Sequence, residues 1–245
     1  MTSIEDIFSI FKKFPEISTD SRNIIKDSIF FALKGDNFNG NKFASDAIHK
    51  GAAYAIIDEE EYVSEKTLLV KNVLVTLQEL ARLHRKKLGI PILAITGTNG
   101  KTTTKELTAK ILAEKYNVSF TQGNLNNHIG VPLTLLKMNS KTNFGIVEMG
   151  ANHPGEIKEL CTIADPDFGI ITNIGKAHLE GFGSFEGVKK TKAELYSYLK
   201  AKNGLVFINS ENPILLELAK QIRNRITYVK SDSDLNAELI SSRLF

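Results

Sequence analysis

Residues Thr96–Thr103 read T-G-T-N-G-K-T-T, directly after the apolar run Ile90-Pro91-Ile92-Leu93-Ala94-Ile95 and directly before an amphipathic helical pattern. This stretch constrains the fold more than any other. A β-branched strand must deliver the chain to a glycine-rich turn, and the turn to a helix N-terminus. Gly97 and Gly100 carry no Cβ, so the turn through Thr98 and Asn99 can adopt positive φ and aim backbone N–H groups inward, where the helix end adds partial positive charge. The product is a phosphate cradle. Lys101 is placed to reach the β- and γ-phosphates of a nucleoside triphosphate such as ATP. The Thr102 hydroxyl is placed to complete the shell of a Mg²⁺ ion, and Thr103 continues the helix start. The first glycine of the G-x-x-x-x-G-K-[ST] pattern would fall at position 95, where this chain has Ile95. A plain strand-turn-helix connection is the competing reading, and the Gly-Lys-Thr argues for the nucleotide.

With 245 residues, 42% hydrophobic and 24% charged, the chain can bury one large or two modest cores. Its 31 basic and 28 acidic residues balance too closely for a nucleic-acid surface, so no nucleic-acid partner is expected. Cys161 is the single cysteine, at helical spacing with Ile157, Leu160 and Ala164; it is read as core packing, and a reducing compartment fits. No run approaches eighteen apolar residues, and Glu5 and Asp6 stand where a signal peptide carries positive charge. Ile4, Ile7, Phe8 and Phe11 instead suggest a short core-docking helix. A cytoplasmic protein without a membrane partner is expected, as a monomer.

The first part, residues 1–88, reads as a small α/β unit. Strands are expected at Ile29–Leu33, Ala53–Ile57 and Thr67–Val70, with helices at Phe43–Lys50 and Val73–Leu88, the last ending in Arg85-Lys86-Lys87 and Gly89. From residue 89 to 245 apolar strands alternate with helices. Strands are expected at Ile92–Thr96, Val118–Thr121, Phe144–Met149, Phe168–Ile174, Leu205–Asn209 and Ile226–Val229. The helices between them are Thr102–Tyr116, Pro154–Ala164, Phe185–Leu199 and Pro213–Asn224. This order argues for an α/β fold with a P-loop NTPase-like, largely parallel sheet and helices on both faces.

Ligands of such sheets bind beyond the carboxyl ends of the strands, so polar residues after apolar runs are the ones to examine. Glu148 is the first metal-ligand candidate, because a carboxylate in an apolar strand needs a cation or backbone donors to satisfy it. Either would serve. His178, beyond Thr172-Asn173-Ile174-Gly175, can be a ligand or an ordinary packed histidine. Asn124, Asn126 and Asn127 stand in a loop that suits a turn and equally suits contact with a polar, sugar-like substrate.

Together these residues resemble the Mur ligases, the ATP-dependent amide-forming enzymes of peptidoglycan assembly. Thr96–Thr103 has the form of their P-loop. The stretches Gly123–Leu136, Val147–Glu156 and Thr172–Glu194 are similar to the branch of the family that adds D-alanyl-D-alanine. Ser18-Thr19-Asp20-Ser21-Arg22 and Phe30–Gly35 resemble the domain that holds the UDP end of the muramoyl precursor. The resemblance covers almost every segment to about residue 215.

The resemblance implies activation of a peptide carboxylate of a UDP-N-acetylmuramoyl peptide by ATP to an acyl phosphate, followed by attack of the D-alanyl-D-alanine amine. Gly97, Thr98, Asn99, Gly100, Lys101, Thr102 and Thr103 would hold ATP, and Ser21, Arg22, Asn126 and Asn127 the muramoyl substrate. Lys101, Glu148, His178 and Lys192 would be the catalytic residues; Thr102, Glu148, His178 and Lys192 would hold Mg²⁺. The family's helix lysine is carbamylated by CO₂, and Lys192 matches it; without the family, Lys192 beside Lys189 and Lys190 reads as a solvated helix face. The family's pattern continues with the rest of the central domain and a C-terminal domain, which this sequence is expected to lack. Two alternatives follow: a related ligase, such as a diamino-acid-adding enzyme or a folylpolyglutamate synthetase, and a non-catalytic fragment that holds the precursor.

Overall fold

The computed structural model describes residues 1–175, 179–229 and 232–236. The chain divides into two compact units, Met1–Gly89 with His128–Lys141, and Ile90–Asn127 with Thr142–Phe245.

The first unit begins with α1 (Ile4–Phe11), capped by Ser3, whose hydroxyl accepts from the Asp6 N–H at 3.2 Å. Strands β1 (Ile17–Ser18) and β2 (Ile29–Phe31) follow, then a hairpin of β3 (Lys34–Gly35) and β4 (Phe38–Asn39), helix α2 (Ala44–His49), β5 (Tyr54–Ile57), β6 (Thr67–Leu69) and α3 (Val73–Leu88). Strands β1-β2-β5-β6 form a parallel sheet in that order. Burial of Ile29, Phe30 and Phe31 alike explains why β2 shows no alternation, since a strand covered on both faces is apolar throughout. Asn72 caps the start of α3, and Gly89 ends it at φ +64°, where a side chain would be strained.

Segment 128–141 contains α5 (Gly130–Leu136), a helix the sequence pattern does not announce. It packs with the first unit, although residues 89–245 read in sequence as a continuous second domain. The attachment to α3 is apolar and polar together. Val131 and Leu135 are fully buried, the Gln78 amide donates to the His128 carbonyl at 3.1 Å, and His84 Nε2 lies 2.7 Å from the Met138 carbonyl oxygen. Burial lowers the His84 pKa, and because a carbonyl oxygen can only accept, Nε2 carries the proton of this bond.

The second unit runs β7 (Ile92–Thr96), α4 (Lys101–Ala113), β8 (Val118–Phe120), β9 (Phe144–Glu148), α6 (Glu156–Ala164), β10 (Phe168–Ile171), α7 (Leu179–Phe182), α8 (Phe185–Ala201), β11 (Leu205–Asn209), α9 (Pro213–Ala219), β12 (Arg225–Val229) and β13 (Leu235–Asn236). All seven strands are parallel, in the order β13-β12-β11-β10-β7-β9-β8. The chain leaves β7 toward β8 and β9 on one side, then crosses to β10 on the other, so the order reverses around β7. Its carboxyl end is therefore the crevice at which such sheets bind ligands. Among the described residues, no helix is long and apolar enough to cross a membrane.

Candidate phosphate and metal site

Strand β7 is fully buried and ends in Thr96, whose hydroxyl donates to the Met149 carbonyl at 2.8 Å. The chain then turns through Gly97 at φ +144° and Gly100 at φ +77° into the N-terminus of α4. Both glycines are required, for different reasons. A Cβ at Gly97 would stand 2.0 Å from Thr172 Oγ1, whereas a Cβ at Gly100 would meet nothing, and only its backbone conformation selects glycine. The first-turn N–H groups of α4, at Lys101, Thr102 and Thr103, have no acceptor within the helix, and the helix end favours an anion.

The turn is held from outside by the segment after β10. Asn173 donates from Nδ2 to the Asn99 carbonyl at 3.0 Å and accepts the Asn99 N–H on Oδ1 at 3.1 Å. Thr172 Oγ1 donates to the same carbonyl at 2.6 Å, the Thr98 N–H donates to the Asn173 carbonyl at 3.0 Å, and the Gly175 N–H to Thr98 Oγ1 at 2.9 Å. These bonds explain why β10 stops at Ile171 rather than running to Ile174: Thr172 and Asn173 are engaged with the turn. The Lys101 ammonium folds back over it, donating to the carbonyls of Gly97 and Thr98 at 2.9 and 3.0 Å. Burial lowers its pKa while the Glu148 charge opposes that shift.

Glu148, at the end of β9, is 1% exposed. It receives the Thr102 hydroxyl on Oε2 at 3.0 Å and the Asn126 amide on Oε1 at 2.8 Å, and its own N–H donates to Thr121 Oγ1 at 3.0 Å. Side-chain donors, and not backbone groups alone, therefore satisfy the carboxylate. Asn126 is locked in turn: its carbonyl accepts the Gly150 N–H at 2.8 Å, and a Cβ at Gly150 would stand 2.7 Å from Asn126 Oδ1. Asn127 is exposed. Thr102 and Glu148 thus offer two adjacent hard oxygens at the mouth of the cradle. Mg²⁺ takes few protein ligands and completes its shell with phosphate and water, so this pair fits it.

Two buried lysines of this unit, Lys105 beside this carboxylate and Lys192 on α8, differ in how sequence shows them. Lys105 is fully buried, with Nζ 3.7 Å from Glu148 Oε2; it lies outside the cradle motif, one turn beyond Lys101 on the same helix face. Lys192, on α8, is 3% exposed, while Lys190 is exposed and Lys189 intermediate, so a solvated face does not describe it. Burial first, and the neighbouring Lys101 charge second, push its pKa down from 10.5 to about 8; the charges of Glu156 and Glu194 oppose this. Its ammonium lies 5.8 Å from the Phe182 ring centroid. The structure brings together Gly97–Thr102, Glu148 and Asn126 by direct bonds, and couples Lys192 to Lys101 by charge. His178 lies outside the described residues.

Ser21 and Arg22 belong to the first unit. The Ser21 side chain is buried and its carbonyl accepts from Lys50 Nζ at 3.0 Å. Arg22 is exposed and forks onto Asp20, Nε to Oδ1 at 2.9 Å and Nη2 to Oδ2 at 2.7 Å, which lowers the Asp20 pKa to about 2.

A parallel sheet with a glycine-turned cradle at the end of an inner strand, where the strand order reverses, defines the P-loop class of nucleotide-binding folds. Within that class the chain belongs to the Mur ligase family: residues 95–243 match the Mur ligase middle domain, and residues 13–96 the Mur ligase family catalytic domain. It is 41% identical over 230 residues to the UDP-N-acetylmuramoyl-tripeptide–D-alanyl-D-alanine ligase of Haemophilus influenzae, covering 92% of this chain and 50% of that protein. The same-named Escherichia coli protein is 36% identical over 228 residues, with 93% and 50% covered. Among solved structures, the MurF ligase of Thermotoga maritima in complex with ADP superposes with a TM-score of 0.82 at 31% identity, over 96% of this chain and 53% of that one. The chain spans about half the length of the curated relatives it matches.

Proposed function

We propose that the chain serves the ATP-dependent addition of D-alanyl-D-alanine to a UDP-N-acetylmuramoyl-tripeptide, a step of peptidoglycan synthesis. The second unit would hold the triphosphate and metal, and the first unit, with Ser21 and Arg22, the UDP end of the precursor. One observation carries this reading: a glycine-turned cradle whose helix residue Thr102 is bonded to a buried carboxylate, in a chain 41% identical to a ligase of that name.

No nucleophile of the protein is required. The α4 N-terminus and Lys101 would neutralise the β- and γ-phosphates as the γ-phosphoryl group passes to the precursor carboxylate, giving an acyl phosphate. The amine of D-alanyl-D-alanine would then attack that carbonyl and expel phosphate. Thr102 and Glu148 would hold Mg²⁺, which supplies charge neutralisation at the transferred group when bound. Asn126 keeps Glu148 turned toward Thr102. His178 and Lys192 would complete a second metal position, Lys192 as a carbamate formed with CO₂. The low Lys192 pKa supports this, because a neutral amine is the form that attacks CO₂.

ADP release tests the reading when it is measured on these residues within a ligase of the relatives' full length, supplied with ATP, Mg²⁺ and the UDP-muramoyl tripeptide. The rate should depend on D-alanyl-D-alanine and vanish in Lys101→Ala. An equal rate with a diamino acid in place of the dipeptide would assign the chain to another branch of the family.

A further inference from the structure

Among the described residues, Lys105 is the one cation of the cradle that no part of the proposed chemistry uses. It is 0% exposed, and its Nζ donates to the Gly123 carbonyl at 3.2 Å, stands 3.2 Å from Glu106 Oε1 and 3.7 Å from Glu148 Oε2, and lies 5.9 Å from the Phe120 ring centroid. Glu106 is 44% exposed, so solvent screens it, whereas Glu148 is 2% exposed at its side chain. The buried partner of Lys105 is therefore the carboxylate at the mouth of the cradle. Among the described residues, the other groups bonded to that carboxylate, Thr102 Oγ1 and Asn126 Nδ2, are neutral.

We infer that Lys105 determines which form of cation the cradle accepts: it compensates Glu148 when no metal is bound and disfavours a bare divalent ion, so that metal enters with a nucleotide. The inference rests on the reading of Glu148 as a metal-holding carboxylate. Its basis is the sign of the local charge. A buried carboxylate held only by neutral donors would attract any divalent ion. Paired with Lys105 it is neutral, and with Lys101 beside it the mouth is net positive. A bare divalent ion is then repelled at short range in a partly desolvated site, where charges interact several-fold more strongly than in water. A nucleotide carrying its metal brings net negative charge and is attracted.

A buried lysine can instead be a strut that holds the Gly123 carbonyl, and the two roles predict opposite signs. Loss of a strut weakens every ligand. Loss of a competing cation tightens bare metal and weakens metal-free nucleotide. Free Mn²⁺, counted by electron paramagnetic resonance against the 245-residue chain without nucleotide, separates them. Lys105→Met should bind Mn²⁺ about tenfold more tightly than the unaltered chain, and Lys105→Gln, which keeps a donor for Gly123, should do the same. Both should bind ATP in EDTA about three- to tenfold more weakly. Unchanged or weaker Mn²⁺ binding by the folded variants overturns the inference. So does failure of both variants to fold, which would make Lys105 a strut. Glu148→Gln is the control and should lower Mn²⁺ affinity about tenfold or more; if it does not, the metal reading of Glu148 fails, whatever the Lys105 variants do.

Discussion

Lys192 shows how burial turns an ordinary residue into a chemical one. In CO₂-free buffer its ammonium has a folded pKa of about 8 against 10.5 for an unperturbed lysine, so between these values the unfolded chain binds more protons. Stability contributed by this group therefore rises as pH increases from about 8 to 10.5. Below that window the buried charge costs a constant ~3 kcal/mol. Lys192→Met should stabilise the chain at pH 7 by a similar order and remove the rise. Denaturant titrations of both proteins across the window measure this, and parallel pH profiles would contradict it. Gly97 is constrained by geometry. Gly97→Ala adds a Cβ 2.0 Å from Thr172 Oγ1 on a backbone at φ +144°, so we expect a loss of about 1–3 kcal/mol in thermal unfolding together with loss of nucleotide binding. Legibility at this scale followed sequence distance. Gly97, Gly100, Lys101 and Thr102 are contiguous and announce themselves. Lys105, one turn beyond Lys101, and Asn173, at the end of an apolar run, carry a weak local mark, while Thr121 reaches Glu148 through a contact that only the sheet order creates.

At the scale of elements, the apolar strands and long helices were legible because each repeats its pattern over several turns or pleats. The misread boundaries have identifiable causes. Helix α6 begins at Glu156 and not Pro154, because Gly155 at φ +91° precedes it and its first N–H groups are capped from α8, where Glu194 accepts from Gly155 N–H at 2.8 Å and Lys158 N–H at 2.9 Å. Helix α5 is seven residues long and embedded in an amide-rich loop, too short to display a period. Its weight lies in packing: Leu135 is fully buried in the unit that contains α3. Leu135→Ala should cost 2–5 kcal/mol, about the range for emptying a buried leucine site, read as a lowered urea midpoint. A cost under about 0.5 kcal/mol would mean that segment 128–141 does not anchor the unit.

At the scale of the molecule, the proposed work falls on two α/β units, each built on a parallel sheet, the precursor on one and the triphosphate on the other. Since the chain spans about half the length of its curated relatives, we expect the 245 residues by themselves to bind the UDP-precursor, to bind ATP weakly and with Mg²⁺, and to form no amide bond at a useful rate. The central claim is that the turn from Gly97 to Thr102 is a phosphate site whose charge comes from Lys101. Isothermal titration of Mg·ATP into the unaltered chain and into Lys101→Ala, with folding checked by circular dichroism, tests it most directly. The account predicts Mg²⁺-dependent binding that weakens about 100-fold in the variant, the scale of a lost charge-assisted contact of about 3 kcal/mol; equal affinity in the two proteins would contradict it.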